Sequence, residues 1–429
     1  MNTESLNNRT LAPGSGLPKI GWSATEVFDS LETLRSKDIR WREGRAFSLA
    51  YNAGPDALSV AEEAYRRFSG ENALSTDAFP SLRQIQAEVV AMAGSWLGAT
   101  SESAGFMTSG GTESILMAVK SARDRLFKER SVTKPNIVLP SSAHAAFEKA
   151  CAYFGLETRR VAVGTDWCAD VNAMRSQVDS NTVLVVASAP QYPQGVIDDV
   201  TGIAKIATDF QINCHVDACM GGVTLAYLAR LGENIPPWNL QVEGVSSISV
   251  DLHKFGYTSK GASVIMYATK YLRSFQSFVT DNWLGGMYGS SGMLGTKSGG
   301  SMASAWAVMH YLGEDGYLRL TREAREATLQ LAEIVNASDD YQLRAQPQTT
   351  LVCFGAKDPG RLNVFAVADE LWRLGWYVDR QSPPDSLHCT VNAIHHDKIK
   401  LFAKDLELAT AQVVAKGKTG DKGSYGTID

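Results

Sequence analysis

The sequence predicts an α/β fold in which a largely parallel β-sheet carries helices on both faces. Strand-like and helix-like stretches alternate between residues 81 and 267, and most of the strand-like stretches are short apolar runs. Such runs are typical of parallel strands that helices cover on both sides. The length of 429 residues exceeds that of an ordinary single domain, so we expect one large and one smaller domain.

The pattern locates the elements of the large domain. Apolar and β-branched runs predict buried strands at 136–139, 182–188, 212–216, 246–251 and 263–267. Helical periodicity predicts helices between them, at 113–128, 143–154, 200–210 and 222–231. Further upstream, residues 56–68 form an amphipathic pattern, and Pro80 and Ser81 mark the start of another helix.

The pattern changes beyond residue 300. A long helix is predicted over 302–335 with a break at 313–316, and two short strands and two helices follow it, ending near residue 415. We therefore divide the chain into an N-terminal segment (1–80), a large domain (81–300), a small C-terminal α+β domain (301–415) and a flexible tail (416–429).

Composition restricts the class of function. The net charge of -5 and the absence of a basic block argue against nucleic-acid binding. The polar N-terminus does not resemble a signal peptide, and the apolar run at 182–189 is far shorter than the ~18 residues that cross a membrane. The six cysteines form no C-x-x-C pair, so neither structural zinc nor a disulfide scaffold is expected. The sequence therefore predicts a cytoplasmic enzyme that acts on a small molecule without a metal.

A glycine-rich segment precedes the predicted helix at 113–128. Residues 108–113 read Thr-Ser-Gly-Gly-Thr-Glu. Glycine lets the backbone approach a phosphate, Ser109 and Thr112 add hydroxyl donors, and the free N–H groups of a helix start favour an anion. The segment is a candidate phosphate-binding cup, although by itself it is also compatible with an ordinary helix-capping turn.

Two charged residues follow predicted strands. Asp217 follows the strand at 212–216, and Lys254 follows the strand at 246–251. Ligands of open α/β sheets lie at the carboxyl ends of strands, although Asp217 could instead cap the next helix. A glycine cup, an aspartate and a lysine in this order predict a pyridoxal 5'-phosphate (PLP) site. The carboxylate would keep the pyridine nitrogen protonated, and the lysine amine would bond covalently to the cofactor.

Two histidines lie close to these motifs. His253 directly precedes Lys254 and either helps to bind the cofactor phosphate or is a buried core histidine. His144 lies between the cup and Asp217 in the sequence, where it could stack on the cofactor ring or cap a helix.

The segments that contain these residues resemble sphingosine-1-phosphate lyases. The similarity runs from about residue 47 to residue 395 and includes residues 108–118, 142–147, 190–198, 215–219 and 253–261. Glutamate and aromatic amino-acid decarboxylases share the His253–Lys254 pair but are not known for the second lysine, here Lys260. The resemblance implies the PLP-dependent transferase fold of type I, with a mixed seven-stranded sheet in a large PLP-binding domain. It also implies a homodimer with shared active sites.

The resemblance implies an activity as well. Retro-aldol cleavage of a 2-amino-3-hydroxy substrate, which could be a phosphorylated and lipid-like amine, would give an aldehyde and an amine such as phosphoethanolamine. The matched positions make Lys254 the attachment lysine, Asp217 the partner of the pyridine nitrogen and His144 the stacking residue. The remaining matched positions fall into three groups. The cup consists of Ser109, Gly110, Gly111 and Thr112, and further cofactor contacts are His215, His253 and Thr296. The substrate pocket consists of Tyr51, Asn72, Ser75 and Lys260, of which Tyr51 and Lys260 would also be catalytic.

Three positions depart from the family pattern. Ser75 replaces a histidine that helps to bind the substrate phosphate, Lys297 replaces an arginine, and Phe255 replaces a tyrosine. The sequence therefore predicts altered phosphate recognition. An amino-acid decarboxylase of the same superfamily is the alternative activity. A non-catalytic binding protein is a second alternative, against which the retained Lys254 and Asp217 argue.

Overall fold

The computed structural model describes residues 16–421, so most of the predicted flexible tail lies outside the described residues. The chain divides into two units, with the boundary after Arg40. The first unit contains helix α1 (Ala24–Leu34), which begins with a reciprocal capping box between Ser23 and Glu26.

The second unit contains a mixed seven-stranded sheet, which confirms the predicted fold class. Its strands are β1 (Ala104–Thr108), β2 (Asn136–Pro140), β3 (Glu157–Val161), β4 (Thr182–Ser188), β5 (Asn213–Asp217), β6 (Ser247–Val250) and β7 (Ser263–Tyr267). They lie in the order β1-β7-β6-β5-β4-β2-β3. Strand β7 is antiparallel to both of its neighbours, and the other pairs are parallel. Strands β2 and β4 to β7 match predicted strands, whereas β1 and β3 were not predicted.

Helices cover both faces of this sheet. The α-helices of this unit up to residue 274 are α2 (Pro55–Arg67), α3 (Pro80–Leu97), α4 (Gly111–Glu129), α5 (Ala146–Phe154), α6 (Val171–Ser176), α7 (Val200–Phe210), α8 (Thr224–Arg230) and α9 (Lys270–Ser274). Of these, α2 and α8 pack against a later helix that begins at Gly300. On β4, Val185 and Ala187 belong to one apolar cluster while Leu184 and Val186 belong to another. Because successive side chains of a strand point to opposite faces, both faces of β4 are buried, as its continuous apolar sequence predicted.

A short hairpin and a long helix follow the sheet. The hairpin consists of β8 (Phe278–Thr280) and β9 (Tyr288–Ser290). The long helix α10 (Gly300–Ala337) leaves helical geometry at Gly313, where φ is 57° and ψ is -172°, and this confirms the predicted break. Its second half, through Leu331 and Val335, belongs to a separate C-terminal core.

The C-terminal core surrounds a second sheet. The elements are β10 (Tyr341–Leu343), β11 (Leu351–Ala356), α11 (Val364–Arg373), β12 (Asp379–Gln381), β13 (Ser386–Thr390) and α12 (Ile399–Lys416). The four strands are antiparallel in the order β10-β11-β13-β12, so the prediction of only two strands was wrong. Phe47, from the predicted N-terminal segment, also packs in this core against Trp376. The domain boundaries themselves stay a prediction. Among residues 16–421, no helix is both long and apolar enough to cross a membrane.

Candidate active site

A cavity of about 360 Å³ lies where β4, β5 and β6 end and α4 begins. It brings together eight residues that the sequence assigned to the cofactor: Ser109, Gly110, Gly111, Thr112, His144, Asp217, His253 and Lys254. Because the carboxyl ends of parallel strands meet at one edge of a sheet, motifs that are far apart in the sequence face the same space.

The glycine cup is tightly packed from behind at Gly111. A Cβ atom at this position would lie 2.8 Å from both Asp251 Oδ2 and Cys219 Sγ, so a side chain does not fit. The backbone N–H groups in the first turn of α4 have no partners within the helix. Gly111 therefore allows the start of α4 to pack directly against Asp251 and Cys219, which leaves these donors at the edge of the cavity.

Glu113 connects the cup to a distant loop. Its Oε2 accepts a hydrogen bond from the backbone N–H of Ser109 at 2.6 Å. Its Oε1 accepts one from the backbone N–H of Met293 at 2.7 Å. The Glu113 side chain is buried, and both bonds are partly shielded from water. This carboxylate fixes the first residue of the cup relative to the loop that follows β9.

His253 provides a test of whether the cup fits a phosphate. Its Nδ1 is buried and has no hydrogen-bond partner among the described residues. The ring faces the cup, because its Cε1 would lie 3.5 Å from a Cβ atom at Gly110. Burial lowers the pKa of His253 although Asp251 opposes this. A phosphate in the cup would supply the missing acceptor, and an ordinary core histidine would not leave Nδ1 without a partner. The residues present therefore fit the phosphate of PLP.

Asp217 lies at the end of β5, is 8% exposed and lines the cavity. Its Oδ1 accepts a hydrogen bond from the backbone N–H of Cys219 at 3.1 Å. Helix α8 begins only at Thr224, so Asp217 does not cap it. The position fits a carboxylate that faces a ligand in the cavity.

His144 lines the same cavity. Its Nδ1 accepts a hydrogen bond from the backbone N–H of Ala146 at 3.1 Å. Burial lowers the pKa of His144, although the charge of Asp217 opposes this effect. The ring is therefore held in one orientation and is uncharged at neutral pH, which suits stacking on an aromatic cofactor.

Lys254 forms an ion pair within the cavity. Its Nζ lies 2.9 Å from Oδ2 of Asp251, whose side chain is 3% exposed. Burial by itself would lower the pKa of Lys254, but the Asp251 carboxylate raises it well above its ordinary value. Burial by itself would raise the pKa of Asp251, but Lys254 lowers it to about 2. Without a cofactor, the pair is therefore an ammonium and a carboxylate.

Tyr51 and Lys260 lie beside the cavity. The hydroxyl of Tyr51 is 3.7 Å from Sδ of Met220, a residue that lines it. Lys260 Nζ lies 4.9 Å from the centre of the Tyr51 ring and donates a hydrogen bond to the carbonyl of His253 at 3.3 Å. Burial, followed by the charge of Lys254, lowers the pKa of Lys260 to about 8. The lysine can therefore both accept and donate a proton near neutral pH.

The structure places three predicted residues elsewhere. Asn72 Nδ2 donates a hydrogen bond to Thr296 Oγ1 at 3.3 Å, and Asn72 forms an isolated bridge with Ser298. The backbone N–H of Ser75 donates to the carbonyl of Asn72 at 3.3 Å, and Ser75 is exposed. None of these residues lines the cavity around Lys254. A single chain therefore does not bring Asn72, Ser75 and Thr296 to the predicted cofactor.

His215 also lies outside the cavity lining. Its Nδ1 lies 2.8 Å from Ser247 Oγ, and its Nε2 lies 3.2 Å from Ser249 Oγ. Burial lowers the pKa of His215 to about 4. The ring is thus a neutral cross-strand link beneath the site, and its predicted contact with the cofactor has no support from this geometry.

Eight cavity residues were given no role from the sequence, among them Glu113, Tyr192 and Asp251. The hydroxyl of Tyr192 donates a hydrogen bond to Asp379 and lies 3.1 Å from Ser48 Oγ. Asp251 precedes Lys254 by three residues, a spacing that places the two side chains on one face of a turn. That spacing could have identified Asp251, whereas Tyr192 carried no signal besides its place in the segment 190–198.

Comparison with known proteins places this site in a family. Residues 17–357 match the family model of the pyridoxal-dependent decarboxylase conserved domain. The chain is 38% identical to sphingosine-1-phosphate lyase 1 of Rattus norvegicus, over 96% of this chain and 74% of that protein. It belongs to the sphingosine-1-phosphate lyase family. The lyase of Oryza sativa is 37% identical over 91% of this chain.

Solved structures agree with this family membership. The sphingosine-1-phosphate lyase of Burkholderia pseudomallei has a TM-score of 0.88 and 31% identity, with 94% of each chain covered. A glutamate decarboxylase of Lactobacillus brevis has a TM-score of 0.83 at 18% identity, which shows a shared fold. This lyase-family chain is thus an enzyme with the predicted fold, and its cofactor is PLP.

Proposed function

We propose that the chain is a PLP-dependent carbon–carbon lyase that cleaves sphingosine 1-phosphate or a similar 2-amino-3-hydroxy amine. The products would be an aldehyde and an amine such as phosphoethanolamine. The observation that carries this proposal is that the residues of the lyase motifs converge on one cavity in a chain that is 38% identical to a sphingosine-1-phosphate lyase over 96% of its length.

The cavity residues divide the work of holding the cofactor. PLP, when bound, supplies a ring that stabilises negative charge on the carbon that carries the substrate amine. The N–H groups of the cup and His253 would bind its phosphate, and Asp217 would accept a hydrogen bond from the protonated ring nitrogen. His144 would support the ring, and Lys254 would provide the amine for covalent attachment. Ligand orientation in this frame determines which substrate bond is cleaved.

Lys260 and Tyr51 would act on the substrate. Cleavage between the amine-bearing carbon and its hydroxyl-bearing neighbour requires that the hydroxyl lose its proton. Because the pKa of Lys260 is about 8, a large fraction of its amine is neutral near pH 8 and can accept this proton. The ring of Tyr51 contacts Lys260 and would hold its amine in place.

The phosphate of the substrate would be recognised differently from that in the relatives. Ser75 is a neutral residue, and Lys297 is already engaged: its Nζ donates to the carbonyl of Met107 at 3.0 Å and lies 4.5 Å from the Phe106 ring centre. Burial also lowers the pKa of Lys297. We therefore propose a weaker dependence on the phosphate.

We also propose that the enzyme is a homodimer with shared active sites. Asn72, Ser75 and Thr296 lie outside the cavity of their own chain, so a second copy is needed if they contact substrate. Large apolar side chains are exposed on the β8–β9 hairpin and its connection, namely Phe278, Val279, Trp283, Leu284 and Met287. A patch of this kind typically marks a protein interface. The six free cysteines fit the further proposal of a cytoplasmic location.

An amino-acid decarboxylase is the second candidate, because a probable L-tyrosine/L-aspartate decarboxylase of Methanothermobacter thermautotrophicus is 32% identical over 81% of this chain. Product analysis separates the two. The PLP-loaded protein would be incubated with β-hydroxy amines, with and without phosphate, and with a panel of amino acids. We expect aldehyde release from the β-hydroxy amines. Release of carbon dioxide from an amino acid, without aldehyde formation, would favour the decarboxylase.

A further inference from the structure

Three buried carboxylates line the cavity, those of Glu113, Asp217 and Asp251, and the proposed function gives no role to Asp251. It is 2% exposed and lies directly behind the cup, since a Cβ atom at Gly111 would approach its Oδ2 to 2.8 Å. A buried carboxylate is unfavourable unless a cation and hydrogen-bond donors compensate its charge. The residues that compensate Asp251 therefore indicate what it does.

Asp251 is fixed by two neighbours. Lys254 Nζ lies 2.9 Å from its Oδ2. Ser263 Oγ donates to its Oδ1 at 2.5 Å. His253 Nε2 is 3.8 Å from Oδ2, which is too far for a hydrogen bond. Lys254 is thus the cation in contact with Asp251, and Ser263 prevents the carboxylate from turning away from it.

We propose that Asp251 is a positioning residue that holds Lys254 as an ammonium whenever the lysine is not bonded to the cofactor. It thereby sets the pH at which the Lys254 amine becomes reactive. This inference rests on the assignment of Lys254 as the attachment lysine.

Only the neutral amine can react with an aldehyde. The ammonium must first lose a proton; its lone pair then attacks the aldehyde carbon, and water leaves as the carbon–nitrogen double bond forms. Below the pKa of Lys254, each pH unit changes the fraction of neutral amine about tenfold. An ion pair that stabilises the ammonium therefore slows capture of the cofactor at neutral pH.

Other titratable groups surround Lys254 and must be considered. Those that interact with it electrostatically are Asp251, Tyr51, Cys219, Lys260, His253 and His144, and Asp217 lines the same cavity. Burial raises the pKa of Cys219 well above its ordinary value, which keeps it uncharged at neutral pH. The charge of Lys260 disfavours a second ammonium at Lys254, whereas Asp251 is in direct contact with Lys254 and favours it. Removal of the Asp251 charge should therefore lower the pKa of Lys254.

The test measures how fast the apoenzyme captures PLP at pH 6.5 to 10. The reaction is quenched with borohydride at set times, and the labelled Lys254 peptide is quantified by mass spectrometry. We expect the wild-type rate to rise about tenfold per pH unit up to at least pH 9. The capture rate of Asp251→Asn should level off at a lower pH. At pH 7 it should be at least about tenfold higher than that of wild type, the factor that a shift of one pKa unit gives.

Two variants serve as controls. Asp198→Asn removes another buried carboxylate, which does not line the cavity, and should keep the wild-type pH profile. Lys254→Ala should give no label, and label at another lysine would show that the attachment assignment has failed. If wild type and Asp251→Asn capture PLP with the same dependence on pH, and the label is confined to Lys254, the inference about Asp251 is overturned. The assignment of Lys254 as the attachment lysine would then still hold. If Asp251→Asn does not fold, the wild-type protein still tests the inference. A wild-type capture rate that levels off below pH 8 would overturn it.

Discussion

Cofactor-binding residues and substrate-binding residues are positioned in different ways. The cup, Asp217 and Lys254 lie at the carboxyl ends of three strands of one sheet, β1, β5 and β6, and line one cavity. Of the predicted substrate residues, Tyr51 and Lys260 lie beside this cavity, whereas Asn72 and Ser75 lie in a segment that pairs with residues 296–298. The first group is positioned by parallel strand ends, and the second by contacts between distant loops.

This difference separates two kinds of change. A substitution at a strand end alters cofactor chemistry for every substrate. A substitution in the segment around Asn72 can alter recognition of one substrate and leave the cofactor in place. Of the three departures from the lyase family pattern, Ser75 and Lys297 lie in the second region, whereas Phe255 directly follows Lys254. The first two fit a changed substrate preference.

Asp217→Ala should show the largest effect. Loss of the carboxylate removes the partner of the protonated ring nitrogen, so kcat should fall about 10³-fold, as observed when a preorganised electrostatic contact is removed. Every substrate should be affected alike. Steady-state kinetics of the PLP-loaded variant on two different β-hydroxy amines measures this. A rate near that of wild type would refute the role of Asp217, and circular dichroism verifies that the variant is folded.

Lys260→Met should reduce kcat about 10²-fold, the lower end of the range for general acid–base catalysis. In the wild type the neutral amine is the active form, so kcat should rise with pH through about 8 and then level off. This rise with pH should be absent in Lys260→Met and also in Lys260→Arg, because a guanidinium stays protonated up to pH 10. The measurement is kcat from pH 6 to 10. If kcat of Lys260→Met still increases with pH near 8, the increase must be assigned to another titratable group.

Ser75→His should show the smallest effect and only at the substrate end. An imidazole can form a charged hydrogen bond to phosphate, worth about 1 kcal/mol more than the bond of a neutral hydroxyl. We expect kcat/KM for sphingosine 1-phosphate to rise about fivefold, the factor that this energy gives, with PLP affinity unchanged. Ser75→Ala is the matched control and should stay close to wild type. Efficient cleavage by the wild type, together with no gain from histidine, would show that Ser75 does not limit phosphate recognition.

The sequence predicted the central strands because their apolar runs are continuous. It did not predict β3, an edge strand that reads Glu-Thr-Arg-Arg-Val and is partly exposed, since edge strands need no apolar run. Strand β1 contains Gly105, where a Cβ atom would lie 2.7 Å from Val90 Cγ1. The glycine weakens the strand pattern, and the close approach to α3 that requires it is visible only in three dimensions.

The cofactor half of the site could be predicted for a related reason. Strand ends converge at one edge of a sheet, so the order of motifs was sufficient to place Asp217 and Lys254 together. The hydrogen bond between the side chains of Asn72 and Thr296 joins residues 224 positions apart in the sequence. No local sequence pattern encodes such a pairing. The contact between Asp251 and Lys254 was within reach of the sequence, but only the structure shows that this carboxylate faces the lysine.

The link through Glu113 has a consequence for protein synthesis. Glu113 holds Ser109 with one oxygen and the backbone of Met293 with the other. A nascent chain that ends before residue 293 lacks this second partner, although the whole cup has already been translated. Because chains emerge from the ribosome N-terminus first, the cup is completed only after about two thirds of the protein has been made. Ribosome-bound chains of increasing length should therefore acquire stable PLP binding only once residue 293 has left the exit tunnel.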